Sequence, residues 1–132
     1  MAASETILLV EDDAQTRDTV RRILETAGYT VIPAETPMEA IDLVSNRQVL
    51  IHALVTDIGL LGVTGPQLAR LIVGDRPELR VLYISGHTAA EVVPAGRVGP
   101  GTAFLQKPFS AEALLQQLRA LLDTGAGRQT DL

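Results

Sequence analysis

Cysteine is absent from the 132 residues, and aromatic side chains make up only 3% of them. Without cysteine there is no disulfide framework, no thiolate nucleophile and no cysteine-bound zinc. So few rings leave the core to aliphatic side chains. Long apolar runs are also missing. Ile7–Val10 and Ala53–Val55 are typical of those present, far short of the roughly 20 residues that span a bilayer. No charged segment followed by an apolar stretch opens the chain, so no secretory signal is expected. Positive charge is in short supply: 11 basic residues face 16 acidic ones, for a formal charge of -5. That balance suits poorly a protein that grips a phosphate backbone over a wide face, so no direct nucleic-acid partner is expected. Lysine is almost missing, because Lys107 is the single one and arginine supplies every other cation.

What remains is an ordinary globular composition, 46% hydrophobic and 20% charged, which argues against intrinsic disorder. At this length one domain with one hydrophobic core is expected, soluble and cytoplasmic, with no membrane contact of its own.

Apolar runs alternate with helical stripes along the chain. Ile7-Leu8-Leu9-Val10 is a short continuous run, typical of a strand buried on both faces. Val20, Ile23, Leu24 and Ala27 then recur at helical spacing, and Gly28 closes that helix. Tyr29–Pro33 reads as a second strand. Thr36-Pro37-Met38-Glu39 supplies an N-cap, a proline at the first helical position and a capping-box glutamate, with Ile41 and Val44 pointing inward. Leu50–Thr56 reads as a third strand. Thr64-Gly65-Pro66-Gln67 opens a helix with Leu68, Leu71 and Ile72 as its stripe. Arg80–Ile84 and Thr102–Leu105 read as strands four and five. Ser110 caps a last helix carrying Leu114, Leu115, Leu118, Leu121 and Leu122, and Gly125–Leu132 reads as a frayed tail. Strand and helix in strict alternation predict a parallel sheet with helices on both faces. Such sheets bind ligands beyond the carboxyl ends of their strands.

Those ends carry Glu11-Asp12-Asp13, Asp57, Ser85 and Lys107-Pro108. Singly, each has a plain structural reading. Acidic residues before a helix favour its positive end by about 0.3–1 kcal/mol, an aspartate or serine after a strand caps or turns, and a lysine is usually solvated. Together they are harder to dismiss, because converging carboxylates repel unless a cation compensates. Ionised Glu11, Asp12 and Asp57 would be balanced by Lys107 and one divalent metal. Oxygen ligands alone favour a hard ion such as Mg²⁺. A lone lysine among arginines also fits a point charge reserved for a phosphoryl group.

These residues resemble the receiver domain of two-component response regulators. The matching pieces are Ile7-Leu8-Leu9-Val10-Glu11-Asp12-Asp13, Val55-Thr56-Asp57-Ile58, Gly65 eight residues beyond Asp57, Leu82-Tyr83-Ile84-Ser85-Gly86, and Phe104-Leu105-Gln106-Lys107-Pro108-Phe109. Any one is weak, but their order and spacing are specific, and the similarity covers about residues 5–123, with 124–132 left as a flexible tail. The resemblance implies a flavodoxin-like (βα)5 three-layer sandwich with strand order 2-1-3-4-5. It implies that Asp57 accepts a phosphoryl group from a phosphohistidine on a histidine kinase or histidine phosphotransferase. Mg²⁺ would be held by Asp12 and Asp57, by Glu11 directly or through water, and by the main-chain carbonyl of Gly59. Asp13 would face away and cap the first helix. Lys107 and Ser85 would contact the phosphoryl oxygens, and Phe104 would change rotamer in response. Lys107-Pro108 is expected to be a cis bond. Such a domain is not an enzyme in its own right, although it assists its own phosphorylation and dephosphorylation, and a longer hybrid parent chain could be a histidine kinase.

The chain also departs from the family pattern. Leu61 stands where proline is frequent, four residues after Asp57. Thr88–Val93 is followed by Pro94, Gly96, Gly99, Pro100 and Gly101, which predicts a short fourth helix and a long loop. That alters the output face of fourth helix, fifth strand and last helix, through which a downstream protein partner is expected. The Ser85–Lys107 segment looks most like the C-terminal receiver of hybrid sensor histidine kinases, with a stand-alone regulator as the competing origin. His52 reads as a strand or surface histidine, and His87 as a neighbour of the site mouth. The leucines of the last helix read first as core and second as a homodimer face. Three rival functions compete with this reading. A pseudo-receiver would be a phosphorylation-independent interaction module, but every key residue of a working receiver is present. A haloacid-dehalogenase-like phosphatase needs an acid where Gly59 stands. A dinucleotide-binding domain needs a G-x-G-x-x-G that does not follow strand one.

Overall fold

The computed structural model describes residues 5–46, 48–57, 68, 70, 72, 79–85 and 102–130, and side chains within these except at 85 and 124–130. Five strands, β1 (Thr6–Val10), β2 (Thr30–Ala34), β3 (Ala53–Asp57), β4 (Arg80–Ser85) and β5 (Thr102–Gln106), form one sheet. Every pairing is parallel and the order is β2-β1-β3-β4-β5. The helices with described bounds are α1 (Ala14–Thr26), α2 (Pro37–Ser45) and α3 (Ala111–Thr130), and Leu68, Arg70 and Ile72 are helical between β3 and β4. This is the flavodoxin-like architecture. No helix among the described residues is long and apolar enough to cross a membrane.

Pleating explains the continuous apolar runs. Successive side chains of a strand point to opposite faces, and here both faces are covered. Ile7 and Leu9 of β1 join Val20 and Leu24 of α1 and Leu114, Leu118 and Leu121 of α3. Leu8 and Val10 join Ala40 and Val44 of α2, with Leu68 and Ile72. A strand sandwiched this way has no solvent face and therefore no alternation.

The helix ends form as their residues dictate. Asp13 caps α1, its side chain accepting from the Thr16 main-chain N–H. Gly28 follows α1 with φ 104°, a conformation that a Cβ would oppose. Thr36 caps α2 by accepting from Glu39 N at 3.2 Å. Ser110 caps α3 by accepting from Ala113 N at 3.0 Å.

Four expectations need correction. Strand three starts at Ala53, not Leu50: the His52 main chain makes the first bond to Thr6, at 2.8 Å, and Leu50, ahead of it, has no strand to cover it and is 67% exposed. Strand two starts and ends one residue later, at Thr30 and Ala34, because Val10 carries the pairing on to Ala34. The Glu39 carboxyl reaches the N–H of Glu35 at 2.6 Å rather than that of the cap residue Thr36. The last helix runs on through Thr130, so 124–130 are helical where a tail was expected. Once a helix is nucleated, each further turn adds bonds at low cost, and Ala126, Arg128 and Gln129 between the glycines are good helix formers. The short fourth helix, Leu61, Gly65 and Leu71 lie outside the described residues.

Leu54 is fully buried in β3 and Met38 is 66% exposed on α2. Leu54→Ala should lower the unfolding free energy by about 2–5 kcal/mol, and Met38→Ala by no more than about 0.5 kcal/mol. Urea unfolding of both variants checks this contrast.

Candidate functional site

Parallel pairing brings strand ends from distant parts of the chain to one edge. Val10 lies between Ala34 and Thr56, Asp57 lies opposite Ile84, and Ser85 opposite Gln106. The residues just past these ends meet beyond the sheet. Glu11 is pulled inward, its main-chain N–H donating to the Ala34 carbonyl at 3.2 Å, and is only 1% exposed. Asp12, next in the chain, is exposed. Asp13 turns away to α1, where its carboxylate accepts from both the N–H and the hydroxyl of Thr16. Those bonds hold its carboxyl below the usual range.

Lys107 follows β5 directly, and its bond to Pro108 is cis. Its ammonium donates to Asp57 Oδ2 at 2.9 Å and lies 3.5 Å from Glu11 Oε1. The side chains of Lys107 and Asp57 are 27% and 15% exposed, so the pairs lie in a partly shielded pocket. Burial pushes the Lys107 ammonium down, but its bond to Asp57 and the Glu11 and Asp57 charges outweigh this and hold it above its ordinary value. Glu11 is raised as well, which for a carboxyl favours the neutral form. Burial and the negative charge of Asp57 push its carboxyl up to about 7, against the opposing pull of the Asp13 N–H and of Lys107. The Asp13 N–H donates to Glu11 Oε2 at 3.1 Å.

The fold brings Asp57, Lys107 and Glu11 together, with Asp12 next to Glu11 in the chain. Ser85 ends β4 at the same edge, though its side chain lies outside the description, as do Gly59 and His87. Phe104 sits in β5 opposite Tyr83, half-buried against the α2 side of the core. His52 stands at the opposite edge, where its Nδ1 accepts from Thr6 N at 2.9 Å. Two contacts were not anticipated. The Arg17 guanidinium donates to the Glu11 carbonyl at 2.7 Å, and Arg119 forks onto Glu5 at 2.7 and 3.2 Å. No spacing rule announces a bond from a side chain to a main-chain carbonyl.

The donor set suits a hard cation. Asp57, Glu11 and Asp12 offer oxygen only. Among the described residues no group of three or more His, Cys, Asp or Glu side chains is placed to hold a metal ion. Mg²⁺ does not need one, because it binds through one or two carboxylates and keeps several waters.

A family model for the response regulator receiver domain matches residues 7–119. The response regulator MprA of Mycobacterium tuberculosis is 33% identical over 116 residues, 88% of this chain and 50% of that protein. The chain thus spans about half the length of the curated relatives it matches. A response regulator receiver protein from Sinorhizobium medicae is 31% identical, with a TM-score of 0.82 over 92% of this chain and 97% of that one. The receiver domain of the hybrid histidine kinase CckA is 28% identical, with a TM-score of 0.74 over 89% of this chain and 98% of that one. Hybrid-kinase receivers are therefore not singled out among the similar proteins.

Between pH 4.5 and about 7, folded Glu11 keeps a proton that the unfolded chain gives up. Its contribution to stability is whole below that window and lost as pH rises through it. Glutamine mimics the protonated form at every pH. In chelator at pH 8, Glu11→Gln should therefore melt above wild type, by about 4 °C for each kcal/mol relieved. The gap should close as pH falls to 4.5, and calorimetry across this range checks both statements.

Proposed function

The chain belongs to the response regulator receiver family, and from that membership and the Asp57–Lys107–Glu11 cluster we propose a Mg²⁺-dependent phosphoacceptor working through Asp57. The observation that carries the reading is the single lysine of the chain placed 2.9 Å from the carboxylate that ends β3. The donor is a phosphohistidine on a histidine kinase or histidine phosphotransferase. A carboxylate oxygen of Asp57 attacks phosphorus in line, the P–O bond forms and the P–N bond breaks. The electron pair leaves with the imidazole nitrogen. Little covalent work falls on the protein, so positioning and charge carry the reaction.

The residues divide that work. Main-chain pairing of β3 with β1 and β4 fixes Asp57. Lys107 holds the carboxylate before transfer and follows the charge to the phosphoryl oxygens afterwards, as a flexible point charge can. When bound, Mg²⁺ on Asp57, Asp12, Glu11 and the Gly59 carbonyl would neutralise charge between two anionic reactants. The product adds about -1.5 to -2 charge if it behaves as other phosphoryl groups do. The Ser85 hydroxyl would then be drawn to the phosphoryl oxygens, and Phe104, half-buried, would repack. Output is a shift in population between two packings, read by a protein partner on the face of β5, α3 and the segment before β5. A cytoplasmic setting fits the donor. Hybrid-kinase origin rests on the 85–107 segment alone, most of which lies outside the described residues.

Incubation with Mg²⁺ and acetyl phosphate, followed by intact mass, tests the proposal. Wild type should gain one phosphoryl mass and Asp57→Asn none, with an unchanged circular dichroism spectrum. Lys107→Arg should slow uptake at least tenfold despite keeping the charge, and Asp12→Ala should weaken Mg²⁺ binding in a calorimetric titration. No gain by wild type, under conditions that modify another receiver, would favour an interaction module that works without phosphorylation.

A further inference from the structure

Arg17 sits one turn into α1, with its side chain only 18% exposed. Its Nη1 donates to the main-chain carbonyl of Glu11 at 2.7 Å, while its Nη2 lies 3.9 Å from Glu35 Oε2, just past β2. Glu11 is thereby tied at every polar group. Its N–H goes to Ala34, its carbonyl to Arg17, one carboxylate oxygen to Asp13 N and the other towards Lys107. Three of these ties come from the site's own strands and loop. The fourth comes from behind, from a helix residue that touches none of the reacting groups.

We infer that Arg17 is a positioning residue for the acidic site: its guanidinium, steadied by Glu35, holds the Glu11 carbonyl so that the Glu11 and Asp12 carboxyls face Asp57 and Lys107. The inference rests on the phosphoacceptor reading for its purpose, but not for its geometry. A buried carboxyl crowded by a second carboxylate tends to move outward to water. Past Val10, where β1 ends, the main chain opposes that movement only through the Ala34 carbonyl and the Asp13 N–H, and side chains supply the rest. A charge-assisted hydrogen bond to a carbonyl at 2.7 Å is among the stronger ties available. The planar fork allows one side chain to reach the carbonyl and the Glu35 carboxylate together. On its outer side Arg17 borders an open cleft of about 310 Å³ shared with Asp18, Arg21, Glu35 and Glu39. A shorter side chain at 17 would widen that wet cleft and leave both apolar cores intact, so loss of the tie can be separated from loss of the fold.

The test compares wild type, R17Q, R17K and E35Q, with R119A as a control that breaks the Arg119–Glu5 fork at the opposite edge of the sheet. The readouts are Mg²⁺ affinity by calorimetry, acetyl phosphate uptake by intact mass, and the thermal midpoint. R17Q should weaken Mg²⁺ binding about tenfold and slow uptake by a similar factor. R17K, which keeps a cationic donor, should recover to within about threefold of wild type, and E35Q should fall between. R119A should lower the thermal midpoint while keeping Mg²⁺ affinity within twofold. A wild-type Mg²⁺ titration in R17Q overturns the inference, and so does an R119A loss as large as that of R17Q. A wild-type protein that binds Mg²⁺ but takes up no phosphoryl group overturns the phosphoacceptor reading alone, because the Arg17 effect on the metal titration would stand.

Discussion

The Lys107 ammonium is the hinge of this protein. It stands 2.9 Å from Asp57 and 3.5 Å from Glu11, two carboxylates contributed by strands that are neighbours in the sheet but 46 residues apart in the chain. A carboxyl as enclosed as Glu11 can be kept at the end of a strand only if a cation is near, because burying an uncompensated charge is expensive. Burial and the second carboxylate push Glu11 towards neutrality, and Lys107 pulls it back. Burial and charge thus oppose each other at this carboxyl.

The sheet makes that arrangement possible and confines it to one edge. Parallel strands present all their carboxyl ends together, and the continuous apolar runs of β1, β3 and β4 bury both faces under α1 and α3 on one side and α2 on the other. The opposite edge carries a different kind of contact. There Arg119 of α3 forks onto Glu5 and reaches the Tyr29 hydroxyl, and His52 accepts from Thr6 N. These bonds fasten α3 and the strand starts to each other. Fastening and chemistry lie at opposite ends of the same strands, so residues at one end can serve stability without disturbing charges at the other.

Much of this was legible in the chain. The 7–10 run, the α1 stripe, the Thr36 and Ser110 caps and the gathering of charge at the strand ends follow from local pattern plus the rule that parallel sheets work at their carboxyl ends, while the Asp13 cap follows from the family resemblance. The errors lie where pattern is silent. Leu50 is apolar and adjoins a strand, so it reads as part of one, yet pairing begins only at His52 and leaves it in water. Gly125–Leu132 reads as a frayed tail, yet the helix runs on through Thr130 once it has begun.

By itself, the order of residues determined the fold class, the strand ends at which charge gathers, and the solitary lysine among arginines. Those properties are local or compositional: periodicity, capping chemistry and counts need no third dimension. Only the tertiary structure decided that Glu11 rather than Asp12 is the enclosed carboxyl, that its acidity is weakened, and that Arg17 grips the Glu11 carbonyl from the helix behind. Burial depends on what the rest of the chain places around a side chain, and a bond to a main-chain carbonyl depends on where the backbone goes. Neither quantity is carried by the identity of the residues that make the contact.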